Sequence, residues 1–145
     1  MTESVGPRPW GCPPNRALVR GANRLAQYKP GAKESPTLAD CFQVTTTLPD
    51  EAAAHQVGAR LVEERLAACA QVLGPVSSTY HWKGGIEQAA EWYCNLKTTK
   101  TRLSALKKRI RELHPYEVPE IVAIRIQDGD ADYLRWIEAE VGIAR

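Results

Sequence analysis

The chain has 145 residues, of which 43% are hydrophobic and 25% charged, and its formal net charge is +2. It reads as a soluble globular protein of one ordinary domain, and so small a net charge does not by itself call for a polyanionic partner. No apolar run approaches the roughly 20 residues that cross a bilayer, and no apolar h-region of a secretory signal precedes the domain, so no membrane partner is expected and the expected compartment is the cytoplasm.

Residues 1–40 hold six of the ten prolines and carry six Lys/Arg against three acids. Pro13-Pro14, Pro30-Gly31 and Ser35-Pro36 break any sustained hydrophobic period, which predicts a disordered, Pro-rich leader. Residues 41–145 are nearly neutral and carry the periodic patterns. Phe42 and Val44 open a strand through Thr45-Thr46-Thr47. Pro49 breaks it, and Asp50 is placed to cap the next helix. Over residues 51–67, Ala54, Gly58, Leu61, Val62 and Leu66 fall on one helical face.

From Ala68 to Trp82 the composition is β-branched, aromatic and small, interrupted by a bulge or bend at Gly74-Pro75. Lys83-Gly84-Gly85 is a hairpin turn, and a second strand runs from about Ile86 to Thr99. Leu103, Leu106, Ile110 and Leu113 line the buried face of a helix that Pro115 stops. Val118 to Ile126 is the last strand. Asp128-Gly129-Asp130 is a turn and cap before a closing helix over residues 131–141, with Leu134 and Ile137 inward. This β-α-β-β-α-β-α order predicts an α+β, ferredoxin-like sandwich with a long β2-β3 hairpin and an extra C-terminal helix.

Cys12, Cys41, Cys69 and Cys94 form no C-x-x-C pair, so neither a zinc site nor a disulfide framework is expected, and Cys69 and Cys94 are read as small buried hydrophobes. Each hairpin strand of about 14 residues extends on the order of 45 Å. A domain of this size has a radius of gyration near 13 Å, roughly, so the ribbon cannot stay within its own globule. Uncovered, it would present pairing edges and apolar side chains; closed self-association is the usual remedy.

Six segments in register resemble the CutA family of divalent-cation tolerance proteins. They are Thr46-Thr47-Leu48-Pro49-Asp50-Glu51, Glu64-Arg65-Leu66-Ala67-Ala68-Cys69, Ser78-Thr79-Tyr80-His81-Trp82-Lys83-Gly84, Leu96-Lys97-Thr98-Thr99, His114-Pro115-Tyr116-Glu117-Val118-Pro119-Glu120 and Asp132-Tyr133-Leu134-Arg135-Trp136. The resemblance covers residues 41–145 and implies a ferredoxin-like homotrimer, similar in architecture to PII signalling proteins, with a link to copper and other divalent ions. Some members place a cysteine where Thr46 stands and consecutive histidines where Leu113-His114 stand, the soft-ligand set that copper prefers.

By resemblance, His114 with Glu91 and Glu120 is the candidate metal site, weak and oxygen-rich. Lys97, Tyr116 and Trp136 are implied to line an inter-subunit pocket, joined there by Tyr80 and Trp82. The residues alone give His114 a second reading, an imidazole interacting with the C-terminal carbonyls of its helix. Tyr80 and Trp82 alternate with His81 and so share a sheet face. Lys97 stands in an otherwise apolar or hydroxyl-bearing strand and calls for an acidic partner, Glu91 or Glu117.

The basic run Lys97, Lys100, Arg102, Lys107, Lys108, Arg109, Arg111 is read as a solvated helix face, because the aromatic platform of RNA-binding domains with this fold is absent; no nucleic-acid partner is expected. No G-x-S-x-G, P-loop or H-E-x-x-H is present, so no enzyme activity and no organic cofactor are expected. Two functions compete: a trimeric metal-tolerance protein, and a PII-like trimer holding a small anionic ligand between subunits.

Overall fold

The structure is a computed structural model, and it describes residues 39–142. Of the predicted leader only Ala39 and Asp40 fall in that range, and Asp40 is tied to the domain, its carbonyl accepting the Lys100 N–H at 2.8 Å and its carboxylate pairing with Arg125; the rest of the leader and the last three residues lie outside it. The elements are β1 (Cys41–Leu48), α1 (Glu51–Glu63), β2 (Cys69–Trp82), β3 (Gly85–Thr99), α2 (Lys100–Leu113), β4 (Val122–Arg125) and α3 (Ala131–Val141). The four strands form one antiparallel sheet in the order β2-β3-β1-β4, the ferredoxin-like arrangement.

Alternation along the strands assigns the two faces. Val44 and Leu48 of β1 and Cys94 and Leu96 of β3 point to the side where α1 and α2 pack. There they join Ala54, Leu61, Leu106 and Ile110 in the main core. Cys41 points the other way and clusters with Leu134, Ile137 and Val141, so α3 lies on the opposite face, over the end where β1 begins. Among the described residues, the rest of that face carries no helix.

The helix boundaries follow from local chemistry. Asp50 caps α1 by accepting the Ala53 N–H at 2.7 Å, and Asp130 caps α3 through the Tyr133 N–H at 3.0 Å. α1 ends at Glu63, four residues earlier than its apolar pattern implied. Arg65 turns to φ +55°, and the N–H groups of Arg65 and Leu66 close back on the carbonyls of Val62 and Leu61. This is a Schellman closure with arginine where glycine is usual. Val62 and Leu66 still pack on the core, Leu66 from beyond the helix. β4 is likewise shorter than the predicted Val118–Ile126 and pairs with β1 only from Val122 to Arg125. Pro119 has no N–H to give a ladder, and residues 118–121 instead form a loop.

The hairpin is as long as its sequence implied, with strands of 14 and 15 residues. Lys83 and Gly84 both take positive φ, the geometry of a two-residue type I′ turn. β1 accompanies β3 only from Thr99 to Trp92, so beyond Trp92 the hairpin continues as a two-stranded arm. The register shifts between Leu73 and Val76, at Gly74-Pro75. The Trp92 indole lies against Gly74, where a Cβ would stand 2.7 Å from the ring. Before the shift, Gln71 and Leu73 are on the α3 side of the sheet. After it, Val76, Ser78, Tyr80 and Trp82 take that side, paired with Glu91, Ala89, Glu87 and Gly85. The bulge thereby aims Tyr80 and Trp82 at the same face as Glu87 and Glu91.

Candidate functional site

That face of the arm, together with the loop after α2, encloses an open cleft of about 830 Å³. β2 supplies Tyr80 and Trp82, β3 supplies Glu87, Glu91 and Tyr93, and the far wall is the loop from Pro115 to Glu120. Four carboxylates line it, those of Glu87, Glu91, Glu117 and Glu120, and no lysine or arginine does.

His114 fixes the loop. Its Nδ1 lies 3.1 Å from the Tyr116 backbone nitrogen and its Nε2 lies 2.8 Å from the Thr47 carbonyl oxygen. An amide N–H can only donate and a carbonyl can only accept, so the ring is neutral with its proton on Nε2. Burial lowers its pKa below the ordinary histidine value, against smaller opposing effects of the Thr47 carbonyl and the Glu91 charge. The ring contributes to a cluster with Tyr116, the centroids 4.9 Å apart.

Glu91 is only 8% exposed, a rare position for a carboxylate unless it is hydrogen-bonded. The Tyr116 hydroxyl donates to it, and burial followed by that bond and the Glu91 charge pushes the Tyr116 phenol up to about 12. Tyr80 is raised too, first by desolvation and then by the charges of Glu87 and Glu91. Glu120 accepts from the Thr47 hydroxyl at 3.5 Å. Two hydroxyls and a neutral imidazole thus orient a cluster of negative charge.

The structure brings together Glu91, Glu120, Tyr80, Trp82 and Tyr116 on this cleft, with His114 behind it. Both His114 nitrogens are engaged within the chain, and the one free lone pair, on Nδ1, is taken by the Tyr116 N–H; nor does the ring reach its own helix carbonyls, because His114 leaves α2 in an extended conformation. Thr46 is buried on the opposite, helix-covered face. Among the described residues, no three of His, Cys, Asp or Glu stand close enough to hold a metal ion between them.

Lys97 and Trp136 do not line the cleft of the single chain. The Lys97 ammonium donates to the Gln71 side chain at 3.0 Å rather than to Glu91 or Glu117. Lys97 is six residues from Glu91 along a straight strand, on the order of 20 Å. Trp136 stacks on Tyr133, centroids 5.6 Å apart, and packs with the α3 cluster. Cys94 is buried as expected, its thiol raised to about 11 by desolvation. Cys69 is only partly buried and meets the Tyr133 hydroxyl at 3.5 Å.

Glu87 and Tyr93 were missed from sequence, and Glu117 was named only as a partner for Lys97, not as a residue of this cleft. Counting back from the Lys83-Gly84 turn pairs Tyr80 with Glu87, so that one was readable from register. Tyr93 was likewise readable, since it stands two residues from Glu91 on β3 and shares its face, whereas Glu117 enters only through the folding of the loop over the arm, which no periodicity marks.

A sequence profile described as "CutA1 divalent ion tolerance protein" matches residues 42–140. The "Divalent-cation tolerance protein CutA" of Thermus thermophilus is 41% identical over 99 residues, covering 68% of this chain and 96% of that one. Its namesake from Citrobacter koseri is 38% identical over 105 residues, covering 72% and 91%. The crystal structure of CutA from Xylella fastidiosa matches with a TM-score of 0.69 at 38% identity, covering 71% of this chain and 99% of that one. The Thermus and Citrobacter relatives are named for ion tolerance and not for an enzyme activity.

Proposed function

Because the chain belongs to the CutA1 divalent ion tolerance family, we propose that it acts in the cellular response to divalent cations and that its acidic cleft holds such a cation on oxygen atoms. The observation that carries this reading is the charge of the cleft: four carboxylates and no basic side chain among its lining residues. An anionic ligand of the PII kind would meet like charge on both walls, which costs rather than gives affinity. Glu91 and Glu120 are the ligands we assign, and His114 positions the loop that carries Glu120.

The donor set suits a hard cation with several retained waters, as magnesium or manganese prefers. It does not suit copper, because the cleft offers no thiolate and the His114 lone pair is engaged. One chain does not encircle an ion, so the site is shallow by itself, and neighbouring subunits of a homotrimer are assigned the task of closing it. The free thiols of Cys41, Cys69 and Cys94 fit the reducing cytoplasm, the compartment we assign.

Calorimetric titration of the full chain with Mn(II), Mg(II), Zn(II) and Cu(II) tests this. Weak binding is expected for Mn(II) and Mg(II), with Kd on the order of 10⁻⁴–10⁻³ M. Glu91→Gln is expected to weaken it about tenfold or more, while His114→Gln acts only through the loop. Binding confined to Cu(II), or metal affinity unchanged by Glu91→Gln, overturns the assignment.

A further inference from the structure

The cleft is far larger than a metal ion requires. An ion with six waters fills about 180 Å³ at about 30 Å³ per water. The cleft holds about 830 Å³, the range of small organic ligands. Its walls are also not those of a purely ionic site. Tyr80, Trp82, Tyr93 and Tyr116 line it beside the carboxylates. Aromatic faces do little for a hydrated metal ion but attract an alkylammonium, which loses less hydration on contact.

We propose that this cleft is a binding site for linear aliphatic polyamines. The proposal deepens the cation reading of the same cleft and rests on it. Three features select an extended polycation over a single small cation. Glu87 and Glu91 lie on one face of β3 four residues apart, on the order of 13 Å along the strand, the reach of a linear triamine. The loop wall repeats the pattern with Glu117 and Glu120, so charge is offered along the cleft rather than at one point. Between the arm carboxylates stand only small side chains, Ala89 and Ser78, which leave the aliphatic links of such a ligand unobstructed.

The chain itself shows that the arm accepts an ammonium. Lys83 Nζ stands 5.6 Å from the Trp82 ring centroid, at the outer end of the same arm. A triamine laid between Glu91 and Glu87 ends beside Tyr80, opposite Glu87, and within reach of the Trp82 ring diagonal to Glu87, where its outer amine competes with Lys83. Its inner amine reaches Glu91, the buried carboxylate that Tyr116 holds in place. The hydroxyls of Thr47 and Ser78 remain as neutral acceptors for the N–H groups that the carboxylates do not take.

The two cation classes are separated by titrating the full chain with spermidine and, in parallel, with MnCl₂. Variants Trp82→Ala, Tyr80→Ala and Glu91→Gln are compared, each checked for an unchanged thermal midpoint. Spermidine is expected to bind the natural chain and to compete with Mn(II). Loss of either ring is expected to weaken spermidine at least about fivefold more than it weakens Mn(II), a cation–π contribution of about 1 kcal/mol. Glu91→Gln is expected to weaken both. Binding of Mn(II) without any spermidine heat at millimolar concentration overturns the polyamine proposal and leaves the metal reading standing. Equal loss of both ligands in Trp82→Ala overturns it as well, since the ring then acts only on the shape of the arm. Absence of both ligands from the natural chain overturns the cation reading itself.

Discussion

His114 shows how much one side chain can hold in place. It joins β1, through the Thr47 carbonyl, to the loop that carries Tyr116, Glu117 and Glu120. Protonation puts a hydrogen on Nδ1, which then faces the Tyr116 N–H as a second donor. Glu91, the charged group nearest in effect, opposes this only in part, and burial keeps the folded-state pKa below the ordinary value of 6.5. The sign follows from proton uptake. Between the folded and unfolded pKa the unfolded chain binds more protons, so the stabilisation is complete above about pH 6.5 and declines as pH falls toward the folded value. His114→Ala is expected to cost about 1–3 kcal/mol at pH 7.5 through two unpaired groups, and the gap to the natural chain is expected to narrow by pH 5. Urea unfolding at both pH values reads this, and a gap that widens on acidification refutes the neutral assignment. The residue was singled out by the family resemblance, while its place before Pro115 suggested only a helix-end role that it does not take. Its partners were not legible, because Thr47 is 67 residues away in sequence and only the closed sheet brings it there.

The elements divide along similar lines. The hairpin was readable because β-branched and aromatic runs, a Gly-Pro break and a Lys-Gly-Gly turn all mark it locally. The end of α1 was not, since Arg65 adopts the left-handed conformation without the glycine that normally advertises it. The placement of α3 on the far face also left no trace: Leu134 and Ile137 define an inward side but not which side of the sheet is inward. Gly58 is a further case. Its helical periodicity was visible, yet its purpose is contact, since an added Cβ would lie 2.9 Å from Ala70 Cβ and 3.2 Å from Cys94 Sγ. The glycine lets α1 settle onto β2 and β3. Gly58→Ala gains about 1 kcal/mol of helix propensity but forces this seat apart, at a cost of about 1–3 kcal/mol for overpacking. A net loss of stability is expected in thermal unfolding. A variant more stable than the natural chain shows that α1 can shift outward without losing its packing.

At the scale of the whole molecule, the described residues leave the sheet face beyond α3 uncovered. Leu73 of β2 and Ile124 of β4 are each 61% exposed there, and Val122 is 44% exposed. Among the described residues, both edge strands, β2 and β4, also have one unpaired side. Edges and an apolar face of this kind invite open-ended aggregation unless a closed symmetric assembly covers them. The proposed homotrimer meets both needs when the arm of one chain lies beside an edge of the next. Ile124→Lys separates this from ordinary surface behaviour. On a solvated strand such a change costs within about 0.5 kcal/mol, whereas in an interface it buries an unpaired ammonium. The natural chain is expected to scatter light as three times 16.1 kDa at micromolar concentration. The variant is expected to scatter as a folded chain of 16.1 kDa, with its far-ultraviolet circular dichroism retained. A monomeric natural chain overturns the assembly, and a variant of unchanged mass moves the interface off this face.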